Sequence, residues 1–116
     1  VVDEEAVLTR MVKLNLERTG QYEVRTENQG SKALAAAREF KPDLIFLDVM
    51  MPDMSGDEVA AQMREDPELS KIKFVFMTAI VTKDETSESS DIGGNQFLAK
   101  PVKTEEIIAT IERLIG

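Results

Sequence analysis

Asp3, Glu4 and Glu5 stand together early in the chain. Asp48 closes the run Asp43-Leu44-Ile45-Phe46-Leu47, Thr78 follows Phe74-Val75-Phe76-Met77, and Lys100 follows Gln96-Phe97-Leu98-Ala99. Each of these polar features comes directly after a short apolar stretch. If the stretches are parallel strands, all four features fall at one sheet edge, the carboxyl edge where open α/β sheets bind ligands. Carboxylates crowded together repel, and their pKa values rise unless a cation compensates. Oxygen donors without His or Cys select Mg2+, Mn2+ or Ca2+ over zinc. Mg2+ holds one or two carboxylates, keeps waters and shares a phosphate oxygen. A lysine and a threonine hydroxyl across the same crevice would bind the remaining phosphoryl oxygens. A carboxylate can itself be the nucleophile, forming an acyl phosphate. The set suits phosphoryl transfer to an aspartate.

Taken singly, each feature has a plainer use. An Asp at a strand end caps a turn, an acidic triplet opens a helix, Lys-Pro makes a loop, and Thr sits well in a strand. Their joint placement at successive strand ends is what carries the inference.

The elements that must position them alternate from end to end. Val1 and Val2 run into the acidic triplet, and a helix follows through Arg18 with Val7, Leu8, Met11, Val12 and Leu14 as its apolar stripe and Gly20 at its end. Residues 22–26 read as a half-buried strand and residues 31–40 as an alanine-rich helix. Pro42 precedes the strand that ends on Asp48. Ser55 can cap a third helix carrying Val59, Ala60 and Met63. Residues 74–77 are continuously apolar, as in a strand buried on both faces. A serine-rich stretch, 82–91, stands where a fourth helix belongs, and residues 96–99 form a fifth strand. Thr104 then caps a last helix with Glu105 and Glu106 in its first turn and Ile107, Ile108, Ile111, Leu114 and Ile115 on its apolar face. Five strands alternating with five helices predict one doubly wound domain over residues 1–116. Two residues are few for the first strand, and Val1 is no initiator methionine, so the chain is expected to lack a few native residues there.

Composition narrows the function. With 116 residues, 42% of them apolar, the chain suits one compact domain that buries roughly 65–70% of its unfolded surface. It has no Cys, which excludes disulfides and thiolate metal sites, and no His, which excludes Ser-His and Cys-His catalysis. Any phosphohistidine must belong to a partner. The net charge of −8 should repel nucleic acid and anionic membrane. No apolar run approaches the ~20 residues needed to span a bilayer, and no signal-peptide pattern opens the chain, so a cytoplasmic location is expected.

The motifs resemble a known family. Asp48-Val49-Met50-Met51-Pro52-Asp53-Met54-Ser55-Gly56 is similar to the phosphorylation loop of response-regulator receiver domains. Met77-Thr78-Ala79 and Lys100-Pro101 are similar to that family's other signatures, in the right order, and Asp3-Glu4-Glu5 to its acidic cluster. The resemblance covers essentially the whole chain. It implies a flavodoxin-like five-stranded parallel sheet, (βα)5, in the order 2-1-3-4-5. It implies Asp48 as phosphoacceptor, Lys100 and Thr78 on the phosphoryl group, and Mg2+ held by Glu4, Asp48 and the Met50 carbonyl, with Asp3 ordering a metal-bound water. Phe97 holds the place of the switch aromatic that turns inward when Thr78 moves. The partner it implies is a histidine kinase or histidine phosphotransfer protein. The switched surface would be the fourth helix, fifth strand and fifth helix, which also offers a homodimer face.

Two departures stand out. Glu4 replaces the Asp usual in the second acidic position. Residues 82–91 carry no apolar side chain, so that helix is expected to stay frayed until phosphorylation or partner binding. Met50 and Ile80, each two residues past a site residue, would restrict water and slow dephosphorylation. The alternatives are an interaction-only pseudo-receiver, against which intact Asp48, Thr78 and Lys100 argue, and a haloacid-dehalogenase-type phosphatase. The latter needs a second Asp where Met50 stands, and a cap domain this length cannot hold. Neither a P-loop nor G-x-G-x-x-G occurs.

Overall fold

The computed structural model describes residues 1–78, 91–92 and 95–115. Its elements are α1 (Ala6–Glu17), α2 (Ala33–Phe40), β1 (Leu44–Asp48), α3 (Gly56–Glu65), β2 (Lys73–Thr78), β3 (Asp91–Ile92), β4 (Asn95–Ala99) and α4 (Thr104–Leu114), with a single 3-10 turn at Gly30–Lys32 leading into α2. β1, β2 and β4 pair in parallel, with Asp48 opposite Met77 and Thr78 opposite Ala99. The short β3 lies antiparallel on the far edge, so the sheet runs β1-β2-β4-β3. The helix expected over 82–91, and Ile80 before it, lie outside the described residues.

Two expected strands are reduced to bridges. Val2 pairs in parallel with Leu47 on one side and with Glu27 on the other, and residues 22–26 form no strand. The contacts here are short: the Val1 carbonyl accepts from the Glu27 N–H, and Val2 N–H donates to the Phe46 carbonyl.

Alternation along the strands feeds two apolar layers. Ile45, Leu47 and Phe76 face Ala33, Ala37, Val59, Ala60 and Met63 of α2 and α3. Phe46, Val75 and Met77 face Val12, Leu16, Ile107 and Ile111 of α1 and α4. This is the period-2 pattern of strands covered on both sides, and each fully buried side chain contributes about 1.5–3 kcal/mol. α1 is rotated from the expected phase. Thr9, Val12 and Leu16 are buried and Leu8 is partly so, while Val7, Met11 and Leu14 are 81%, 41% and 57% exposed. The five apolar positions span more than one face, and burial follows the set three and four residues apart that includes Leu16.

Helix ends explain how the loops are aimed. The Ser55 hydroxyl accepts from the Glu58 N–H at 3.3 Å, capping α3 as its sequence predicts. At α4 the capping position belongs to Lys103, whose N–H donates to the Glu106 carboxylate at 3.3 Å. Thr104, expected as the cap, is the first helical residue, and its hydroxyl oxygen accepts from the Asn15 amide at 3.1 Å, tying α1 to α4. Lys41 ends α2 with φ of 55°, in the left-handed region, just before Pro42.

The loop after β1 closes against its own strand. Val49 N–H donates to the Met77 carbonyl, and Gly56 N–H donates back to the Val49 carbonyl at 2.9 Å. A Cβ on Gly56 would lie 2.4 Å from the Asp48 carbonyl oxygen, so the close approach requires glycine. Gly56→Ala is expected to destabilise the domain by about 1–3 kcal/mol, read as a lower urea midpoint at unchanged slope.

Candidate functional site

The sheet delivers its polar residues to one crevice. Asp48 ends β1, Thr78 ends β2, and the Lys100 N–H, one residue past β4, donates to the Thr78 carbonyl at 2.9 Å. Asp48 N–H donates to the Val2 carbonyl at 2.8 Å, which brings Asp3 to the same edge. Asp3, Asp48 and Thr78 are 0%, 2% and 3% exposed.

One ammonium serves three carboxylates. Lys100 Nζ lies 2.7 Å from Asp3 Oδ2, 3.4 Å from Asp48 Oδ2 and 3.6 Å from Glu5 Oε1. The remaining Asp3 oxygen, Oδ1, accepts from the Glu5 N–H at 2.9 Å, and Asp48 Oδ1 accepts from the Met50 N–H at 3.2 Å. Asp3 Oδ2 is fully buried and pairs with Lys100 and no other polar partner among the described residues. Burial, reinforced by the Asp3 charge, raises the Asp48 pKa, against the pull of Lys100 and the Met50 N–H. Burial also pulls on Lys100 in the neutral direction, but Asp3 and Asp48 outweigh it and its pKa is raised. The lysine therefore stays charged in a crevice that carries more negative than positive charge.

The other expected site residues differ in exposure. Glu4 is exposed, and Met50 is 58% exposed in the loop after Asp48. Phe97 is partly buried, its ring 5.4 Å from that of Phe76 at a tilt of 41°. The described residues hold no ready-made cage of three acidic side chains. What they offer a cation is two buried carboxylates, Asp3 and Asp48, with acidic Glu4 and the Met50 main chain beside them and no nitrogen or sulfur ligand. That donor set fits Mg2+, which takes few carboxylates and keeps waters.

Three roles went unmarked by sequence motifs: Glu5 as a partner of Lys100, Asn28 in the loop before α2, and Asp53, which stands inside the loop motif without an assigned role. Glu5 lies inside the acidic run, so only its contact is new. Asn28 donates to the Asp3 carbonyl at 2.8 Å, and Asp53 accepts from the Gly30 and Ser31 N–H groups at 3.1 and 3.0 Å. These contacts join distant loops, and no local spacing announces them.

Comparison with known proteins follows this geometry. The family model described as "Response regulator receiver domain" matches residues 1–112. The chain is 31% identical over 116 residues to the polar-differentiation response regulator DivK of Brucella anthropi, covering 94% of that protein. It is 37% identical to the probable transcriptional regulatory protein TcrX of Mycobacterium tuberculosis, covering 99% of this chain and 48% of that one. The chain thus spans about half the length of several curated relatives it matches. Among solved structures, the chemotaxis protein CheY4 of Vibrio cholerae superposes with a TM-score of 0.82 at 29% identity, covering 98% of this chain and 94% of that one.

The crowded crevice predicts its own dependence on the lysine. Lys100→Met strips the ammonium from two buried carboxylates and is expected to cost about 3 kcal/mol at neutral pH. Part of that loss should return as the pH falls. Asp48, whose folded pKa already lies above the ordinary aspartate value, takes up a proton before an unfolded aspartate does and sheds its repulsion. Urea unfolding at neutral and mildly acidic pH measures both effects.

Proposed function

The chain belongs to the response-regulator receiver family, and from that premise we propose that it is a phosphoacceptor switch in which Asp48 takes a phosphoryl group from a partner's phosphohistidine. The observation that carries this reading is the buried Asp48 carboxylate, set 3.4 Å from the Lys100 ammonium at the carboxyl edge of a parallel sheet.

An Asp48 carboxylate oxygen attacks phosphorus, a P–O bond forms, the P–N bond breaks, and imidazole leaves with its electron pair. Lys100, held by Asp3 between the carboxylates, is positioned to pair with the phosphoryl oxygens, and the Thr78 hydroxyl with the group once transferred. Asp3, Glu4, Asp48 and the Met50 carbonyl are the groups that would hold Mg2+, which supplies charge neutralisation for the crowded acids and the incoming phosphoryl oxygens. Thr78 and Phe97 carry the signal outward: a shift of Thr78 toward the phosphoryl group frees space at the end of β2, and Phe97, resting on Phe76, responds. The receiver acts on itself, as a signalling switch.

The donor is a histidine kinase or a histidine phosphotransfer protein. Val7, Met11 and Leu14 form an exposed apolar stripe that begins two residues after Glu5, at the crevice mouth. A protein that delivers its imidazole to Asp48 covers that mouth and meets the stripe. The surface read by the next partner, or by a second copy, is the face that includes β4 and α4.

Asp48→Asn removes the nucleophile and one crowded charge. It should abolish labelling by acetyl phosphate on a phosphate-affinity gel while the fold persists. Because the Asp48 pKa is raised, its ionised form costs stability above that pKa, so the variant should unfold no more easily than wild type at neutral pH. Undiminished labelling would move the phosphosite elsewhere.

Met50 offers an attacking water no hydrogen bond. Met50→Asn should therefore speed hydrolysis of the acyl phosphate several-fold, followed as loss of the shifted gel band after donor removal. An unchanged lifetime would show that the side chain two residues past Asp48 does not govern water access.

A further inference from the structure

The cation-binding half of the crevice and the phosphoacceptor half stand on different loops. Sheet hydrogen bonds fix Val2 against Asp48, through the Val2 N–H to the Phe46 carbonyl and the Asp48 N–H to the Val2 carbonyl. The ladder stops there. The turn that carries Asp3 and Glu4, and the loop from 49 to 55 that carries Met50, both leave the sheet just where their positions matter.

Five consecutive residues, 27–31, reach both. At one end, Asp3 N–H donates to the Glu27 carbonyl at 3.1 Å, and the Asn28 amide donates to the Asp3 carbonyl at 2.8 Å and the Thr9 hydroxyl oxygen at 3.0 Å. Thr9 is buried and its hydroxyl donates to the Ala6 carbonyl, so Asn28 ties the acidic turn to the first turn of α1. At the other end, both oxygens of Asp53 are spanned by the N–H groups of Gly30 and Ser31. Chiefly through the Ser31 N–H, this holds the Asp53 pKa down to about 2, so the clamp stays ionised at neutral pH. Gly30 is buried against the same loop, and a Cβ there would lie 2.6 Å from the Met54 carbonyl oxygen.

We infer that residues 27–31 are a brace that sets the spacing between the acidic turn and the phosphoacceptor loop, with Asn28 and Asp53 as positioning residues for cation binding and phosphoryl acceptance respectively. The inference rests on the receiver reading above. Neither side chain touches the reacting atoms. Asn28 acts through the Asp3 main chain and Asp53 through the loop that bears Met50. Outer partners of this kind change metal affinity about 10–100-fold when removed, and a small misplacement at a reacting centre can cost a comparable factor in rate.

The two arms predict different signatures. Asn28→Ala should raise the Mg2+ dissociation constant about tenfold by NMR titration of the apo protein, while labelling by acetyl phosphate at saturating Mg2+ stays near wild type. Asp53→Ala should bind Mg2+ near normally and accept phosphate about tenfold more slowly at saturating Mg2+, with Asp53→Asn, which keeps one acceptor oxygen, in between. Arg38→Ala breaks the exposed Arg38–Asp66 ion pair, away from the crevice, and serves as the control for general loss of stability. If Asn28→Ala does not fold, Asn28→Gln tests the same contact with a longer reach, and it too should weaken Mg2+ binding. Wild-type affinity and rate in the Asn28 and Asp53 variants, with a fall in melting temperature like that of the control, would overturn the brace. Failure of the wild-type domain to accept phosphate at all would overturn the receiver reading, and the inference with it.

Discussion

The structure turns on one ammonium among too many carboxylates. Lys100 contacts Asp3, Asp48 and Glu5 within 3.6 Å, and it is mostly buried with the first two. Such an arrangement is a poor way to gain stability, because the cost of desolvating the charges offsets most of their attraction. A fold that keeps it retains an unbalanced negative centre. Asp48 carries the consequence: its pKa is raised by burial and by Asp3 even with the lysine present. The crevice carries an excess of negative charge, and Lys100 offsets only part of it.

Only a particular architecture can build such a centre from such distant residues. In a parallel sheet every strand ends on the same edge, so an acidic turn after Val2, an Asp after β1, a Thr after β2 and a Lys after β4 meet without long-range side-chain reach. The apolar layers on both faces keep water away from that edge and leave the strand ends as the place where polar groups can gather. Val75, Met77, Leu47 and Phe76, all within 2% of full burial, hold Asp48 and Thr78 at fixed heights. The helices add smaller constraints, of which the Asn15–Thr104 hydrogen bond and the Ser55 cap are the most local.

Much of this was legible in the chain. Apolar runs ending in Asp48, Thr78 and Lys100 reveal both the parallel sheet and the shared edge, because burial on two faces leaves a continuous apolar signature. The phase of α1 was harder. Val7, Met11 and Leu14 are apolar yet exposed, and composition cannot tell a core stripe from a surface one when both lie on the same helix. Thr104 illustrates a second limit. Its hydroxyl suits a cap, but tertiary contact with Asn15 claimed it, and Lys103 took the position. Residues 22–26 have strand character, and pairing depends on a neighbour that local preference does not supply. Asn28 gives no local signal, and Asp53, though inside the loop motif, gives none of its contact with residues 30 and 31, since each meets its partner across more than twenty residues of chain.

The same charge imbalance bears on the proposed switching. Lys100 is divided among three carboxylates, and no one of them holds it fully. Under the proposed reading, a phosphoryl group on Asp48 would convert a single carboxylate charge into a group of higher charge with three acceptor oxygens, and the lysine would gain a stronger partner than Asp3 or Glu5. The Lys100 main chain is hydrogen-bonded to Thr78, and Thr78 pairs with Ala99 at the end of β4. A pull on the ammonium is therefore felt at the ends of two adjacent strands. Phe97, two residues before Ala99, is partly buried against Phe76 rather than locked within the core. If Asp48 accepts a phosphoryl group as proposed, Phe97 would be the side chain that passes the change at the strand ends on toward the surface.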